Sequence, residues 1–157
     1  MTDLTHADAG GRARIVDVSA KDETVRVARA RGEIRMSSDA LNAIRSNTIA
    51  KGDVLSVARI AGIMAAKRTA EIIPLCHPIA LTDVGIEFDF DDSVPGIIAD
   101  SYVKTVGRTG VEMEAMTAVA CALLTIYDMA KAIDRGMTIT AISLIEKTGG
   151  KSGDWSR

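Results

Sequence analysis

Aromatic residues are scarce in this 157-residue chain, which holds two Phe, two Tyr and one Trp, and its formal net charge is −2. It therefore has few platforms for stacking single-stranded bases and no cationic excess to release counterions, so nucleic acid is a disfavoured partner. Cysteine is equally sparse. Cys76 and Cys121 stand far apart with no C-x-x-C pair, and the start has no charged-then-apolar leader pattern, so a reducing cytoplasm is expected. The longest weakly polar run, residues 115–130, contains Thr117, Thr125 and Asp128. It falls short of the ~20 apolar residues of a membrane span and reads as a buried helix. What the chain does have is 47% apolar and 25% charged residues, the balance of one globular domain. No repeat, low-complexity tract or Pro-rich linker divides it. One domain over residues 1–157 is expected, with a flexible arm at 1–13 and a flexible tail at 148–157.

Residues 15–19, 24–30 and 33–37 read as short strands around the Lys21-Asp22 turn and Gly32. Asp39 is placed to cap a short helix through Ala43 and Ile44, and Lys51-Gly52-Asp53 opens a longer one ending before Pro74. In that helix Val54, Val57, Ala58, Ala61 and Ala65 recur at helical spacing, and the small face with Gly62 suits close packing. Ile86, Phe88 and Phe90 alternate with Glu87, Asp89 and Asp91 as a half-buried strand, and Pro95-Gly96 turns the chain into a second strand over 97–106. A helix from the 107–110 turn to about Asp134 and a last strand over 138–147 follow. The order is β-α-β-β-α-β, so the expected class is an α+β ferredoxin-like sandwich with an N-terminal strand extension. Two helices on one face leave the other face needing cover, which self-association would supply.

Four groups of residues could carry chemistry. Lys51 precedes a helix start, where free N–H groups favour an anion, although a solvated lysine beside an Asp cap explains it as well. Ile73-Pro74-Leu75-Cys76-His77-Pro78 pins a Cys and one of two histidines between prolines. Without further His or Cys beyond His6 and Cys121 no zinc set is expected there, leaving an imidazole for substrate contact or proton transfer, or a buried core histidine. In Gly107-Arg108-Thr109-Gly110-Val111-Glu112-Met113-Glu114, Thr109 and Glu112 have capping-box spacing, whereas Glu114 has no such structural duty. Finally, Asp128 and Lys131 share a face in an otherwise apolar helix, as a buried proton-transfer pair or as a structural ion pair. Glu114 and Asp128 lie 14 residues apart, or roughly 21 Å along one helix. Either only one end of the helix is functional or a symmetric assembly joins one end from each of two copies, and the second is favoured. Gly150-Lys151-Ser152 imitates a P-loop ending, but the first Gly of that motif would fall at Ile145, so a P-loop is rejected.

Leu4-Thr5-His6, Ile15-Val16-Asp17-Val18-Ser19, KGDVLSVARIAGIMAAKRT, IPLCHP, GRTGVEMEAMTA, LTIYDMAKA and EKTGGKSG, in this order, resemble the cyclic pyranopterin monophosphate synthase family, molybdenum cofactor biosynthesis protein C. The resemblance spans nearly the whole chain. It implies a ferredoxin-like subunit in a homohexamer, a trimer of dimers, with interface active sites. The implied substrate is a 3′,8-cyclised dihydroguanosine triphosphate, rearranged to cyclic pyranopterin monophosphate with loss of diphosphate. No redox cofactor is implied as required, and magnesium could accompany the substrate phosphates. By the same resemblance Asp128 and Lys131 would be catalytic base and acid and Lys51 a second catalytic lysine. Leu75, Cys76, His77, Glu112, Met113 and Glu114 would bind substrate, with Arg26, Lys147 and Lys151 holding its triphosphate. The rival reading from another class is a non-catalytic ferredoxin-like sensor of a nucleotide or pterin; a purely structural assembly subunit would leave Lys51, His77 and Glu114 without a role.

Overall fold

Ala28, Ala30, Gly32 and Ile34 alternate with Arg29, Arg31, Glu33 and Arg35, and this period of two builds one long strand, β1 (Thr24–Arg35), with its apolar side turned into the core. The computed structural model describes residues 10–151 and 153–157, so the Leu4-Thr5-His6 motif, most of the expected flexible arm and Ser152 lie outside the described residues. The expected break at Gly32 does not occur. A Cβ there would sit 2.8 Å from the Val119 side chain and 2.9 Å from that of Leu123, so glycine serves a close helix-to-strand approach and not a turn. Residues 15–19, expected as a strand, form none.

Helix α1 (Ser38–Arg45) is capped by Ser37, whose hydroxyl accepts from the Ala40 N–H; Asp39, the expected cap, lies in the first turn. Helix α2 (Val54–Ala66) is capped by Asp53 and stops well before Pro74. There the Thr69 hydroxyl donates to the Ala65 and Ala66 carbonyls, and a separate short helix, α3 (Thr69–Ile72), follows. Strands β2 (Leu81–Asp91) and β3 (Gly96–Gly107) form the expected hairpin. Helix α4 (Glu112–Ala130) ends short of Asp134, whose carboxylate instead accepts from the Ser37 and Gly136 N–H groups. Strand β4 (Thr138–Thr148) then returns beside β1, and the tail, expected to be flexible, folds back as β5 (Trp155–Ser156) on β4.

The sheet order is β2-β3-β1-β4-β5 with every pair antiparallel, which confirms the α+β ferredoxin-like class. Helices α2 and α4 cover one face. Lys51 meets Asp128 while Gly62 meets Ala118 and Ala122, so the two helices run antiparallel. Alanines at 28, 30, 58, 99, 115, 118 and 122 are fully buried and let helices and sheet approach, with Ile34, Ile97, Leu123 and Ile126 filling the remaining space. A Cβ on Gly62 would stand 2.7 Å from the Ala118 carbonyl oxygen and collide with the Ile86 side chain, so this packing offsets the ~1 kcal/mol of helix propensity that glycine forfeits. Helix α4 is long and apolar enough to cross a membrane by length and composition alone, contrary to the expectation that it is too short. It lies on the sheet, with Ala115, Ala118, Val119, Ala122, Leu123 and Ile126 in the core.

The opposite face is charged. Arg31 makes a two-pronged contact with Asp100 at 2.8 and 2.9 Å, Arg29 stacks over Tyr102 and pairs with Glu146, and Arg35 pairs with Glu33. The same face also carries Val25 and Val106, paired across β1 and β3 and both about half exposed.

Candidate functional site

Two clusters stand at opposite ends of α4. At its C-terminal end, Gly52 with φ +98° turns the chain before α2 and brings Lys51 over the last turn of α4. Lys51 Nζ donates to the Asp128 carbonyl at 2.8 Å and to Asp128 Oδ2 at 2.9 Å, and Lys131 Nζ donates to Oδ1 at 2.7 Å. Two ammoniums thus share one carboxylate. The cation at 51 is engaged with Asp128, and the start of α2 is closed by the Asp53 carboxylate and its bonds from Ser56.

The expected burial of the Asp128–Lys131 pair is overturned in the chain. Both side chains are about half exposed (58% and 51%), and hydrogen bonds from Lys131 and then Lys51 hold the Asp128 carboxyl down at about 2, away from neutrality. An apolar helix sequence suggested a buried pair, but the pair sits where the helix end leaves the core.

The N-terminal end of α4 holds the buried acid. Glu114 is 4% exposed, and burial, followed by the neighbouring Glu112 charge, pushes its carboxyl up to about 7. It faces a cleft of about 270 Å³ with Leu75, Cys76, His77 and Met113. Burial, and then the Glu114 charge, raise the Cys76 thiol as well, so Cys76 is not an activated nucleophile. His77 Nε2 lies 2.7 Å from the Val16 carbonyl. A carbonyl only accepts, so Nε2 carries the hydrogen and Nδ1 is the ring position left for a ligand. This bond also explains why residues 15–19 form a cleft wall: Val16 and Val18 line it.

The capping box expected of Thr109 and Glu112 does not form, since α4 has no side-chain cap on its N-cap residue Val111. The Glu112 carboxylate folds back over Gly110, where any Cβ would collide with it, and lies 3.8 Å from Lys147 Nζ. Glu112 and Gly110 join the first cleft to a second of about 210 Å³, lined by Lys21, Arg26, Arg108 and Lys147. Arg26 is aimed by donating Nε–H to the Gly107 carbonyl at 2.9 Å and Nη2–H to that of Arg108 at 3.2 Å. Lys151 is exposed and, with Lys21 and Arg26, lines an adjoining depression of about 1030 Å³. Lys21 and Arg108 were missed by sequence reasoning, which saw only a turn and a loop; their proximity to the ends of β1 and β3 is the signal that could have found them.

One cleft therefore runs from a buried acid and an imidazole to a row of cations, a shape for a polar heterocycle carrying anionic groups. Taken singly, the first two clefts are smaller than the ~300 Å³ at which small-molecule sites begin. The lysine pair with Asp128 is at the far end of α4, roughly 21 Å from Glu114. Among the described residues no group of three or more His, Cys, Asp or Glu side chains is placed to hold a metal ion. Compared with known proteins, residues 15–150 of the chain match the model of the MoaC family.

Proposed function

Because the chain belongs to the MoaC family and so to molybdenum cofactor biosynthesis, we propose that it is a cyclic pyranopterin monophosphate synthase, a diphosphate-releasing lyase acting on 3′,8-cyclised dihydroguanosine triphosphate. The observation that carries this reading is the continuous cleft with Glu114 and His77 at one end and Arg26, Arg108 and Lys147 at the other. The first end suits the N–H and carbonyl edge of a guanine-derived ring; the second suits a triphosphate.

In this reading Leu75, Cys76, His77, Met113 and Glu114 hold the ring system. Glu114, with a proton affinity near neutrality, exchanges protons with ring nitrogen as the rings open and reclose. Asp128 keeps Lys51 and Lys131 side by side as ammonium donors; its own carboxyl, held at about 2, is a poor base while both lysines are bound. To form the cyclic phosphate, a sugar-derived hydroxyl oxygen bonds to the α-phosphorus and its proton passes to solvent. The bond from that phosphorus to the bridging oxygen breaks, and diphosphate leaves toward Arg26, Lys147 and Lys151. No redox cofactor enters the scheme, and a magnesium ion would come with the substrate's phosphates.

The distance between the two clusters gives a second copy of the chain a purpose. A two-fold axis across the helices would lay the Lys51–Asp128–Lys131 end of one copy over the Glu114 end of another. Val57, Ile60 and Met64 on α2 and Leu124 on α4 are exposed apolar residues on the helices that such a contact would cover. The homohexamer, its interface sites and a cytoplasmic location all belong to this proposal.

Incubation with the cyclised triphosphate, following diphosphate and pterin product by mass spectrometry, tests it. Turnover that disappears in Asp128→Asn supports the synthase. Tight binding with no diphosphate would instead make the chain a ligand sensor.

A further inference from the structure

We propose that Asp154, which lies past the residues 15–150 that the family model matches, is a positioning residue for the anion-binding end of the cleft; this rests on the phosphate reading given above. After β4 the chain turns through Gly149 and Gly150, at φ +86° and +80°, a backbone region that glycine enters freely. The turn is fastened by a side chain. Asp154 Oδ1 accepts from the Gly149 N–H at 2.9 Å. Immediately beyond, Trp155 and Ser156 pair with Lys147 and Glu146, and the Arg157 N–H donates to the Ile145 carbonyl at 2.9 Å.

This hairpin presses on β1 where the cations stand. A Cβ on Gly149 would collide with the Val25 carbonyl, and one on Gly150 would collide with the Arg26 guanidinium. Arg26 is thus confined between the Gly107 and Arg108 carbonyls on one side and the Gly150 backbone on the other. Lys147 is likewise set between Ala28 on β1 and Trp155 on β5. A carboxylate cannot hold a phosphate, so Asp154 acts through the main chain: it fixes the turn that confines Arg26 and the strand that flanks Lys147. Preorganised cations bind an anion without first losing side-chain freedom.

The test is a calorimetric titration of the full-length protein with inorganic tripolyphosphate. Asp154→Ala is expected to weaken binding about fivefold, the effect of losing roughly one net hydrogen bond. Asp154→Asn keeps an oxygen for the Gly149 N–H and is expected to stay within about twofold of the parent. With the cyclised triphosphate as substrate, Asp154→Ala should raise KM by the same factor and leave kcat unchanged, a split that general loss of structure would not give. Should Asp154→Ala fail to fold, Asp154→Gly, which also removes the oxygen that accepts from the Gly149 N–H, is expected to weaken tripolyphosphate similarly. Unchanged binding in the Ala or Gly variant, or equal weakening by Ala and Asn at position 154, overturns the proposal. If the parent protein itself binds no tripolyphosphate, the phosphate reading fails, and the role of Asp154 fails with it.

Discussion

Replacing Glu114 by Gln removes a titratable group while keeping its shape, and the surroundings of that side chain set both the sign and the size of the effect. Burial and the Glu112 charge move the carboxyl from its ordinary 4.5 to about 7. Between these values the folded protein retains a proton that the unfolded chain has released. The stability this contributes is complete below about 4.5 and is lost as pH rises through about 7. At ~1.4 kcal/mol per tenfold change in proton affinity, the ionised buried carboxylate destabilises the fold by up to about 3 kcal/mol above neutrality. The opening of the cleft to solvent screens the charge and lowers this, so Glu114→Gln is expected to gain about 1–3 kcal/mol over the parent at pH 8 and little at pH 4. Urea unfolding at fixed protein concentration across this pH range measures it, the fixed concentration keeping any assembly term constant. Equal stabilities at pH 8, or an offset between the two proteins that does not vary with pH, would refute the reasoning. Turnover should move the opposite way and fall about 10²-fold or more, since the group that strains the fold is the proton carrier of the proposed reaction.

Asp128→Asn is expected to lower turnover about 10²-fold or more and, because it gives up the ion pairs with Lys51 and Lys131, to lower the unfolding midpoint slightly at neutral pH, with assembly retained; loss of the oligomer would make the cluster structural. Lys51→Ala removes one of the two cations that hold the Asp128 carboxyl at about 2 and should let it rise toward 3.8, as followed by NMR titration of the labelled carboxyl. A carboxyl that stays at about 2 would deny Lys51 its part. Gly62→Ala forces α2 off α4 and is expected to destabilise by about 1–3 kcal/mol in thermal or urea unfolding. Gly85→Ala, with nothing within 4 Å of the added carbon, is the control and should be nearly neutral.

The ferredoxin-like order was legible because hydrophobic period alone separates β1, the β2–β3 hairpin, α4 and β4. Gly32 misled because a glycine in a strand reads as a turn until the helix above it is known; only Val119 and Leu123, far away in sequence, show what it is for. Local capping rules named Asp39 and the Thr109–Glu112 pair, whereas Ser37 takes the first duty and long-range contact with Lys147 takes Glu112. Asp128 and Lys131 were visible at i and i+3, yet their exposure depends on where α4 leaves the core, and Lys51 joins them only through the antiparallel packing of α2. Residue type singled out His77 and Glu114. Their meeting in one cleft, and the partnership of His77 with the Val16 carbonyl, are tertiary facts that no local window contains.

The placement of Glu114 and Asp128 at the two ends of a single helix has a genetic consequence. If two copies share each site, as proposed above, a chain damaged at Glu114 and another damaged at Asp128 each spoil different halves. In a hybrid of the two, one cleft collects both lesions and its twin collects neither. Two inactive alleles expressed together would then restore part of the activity, whereas two different lesions at the same end of α4 would restore none.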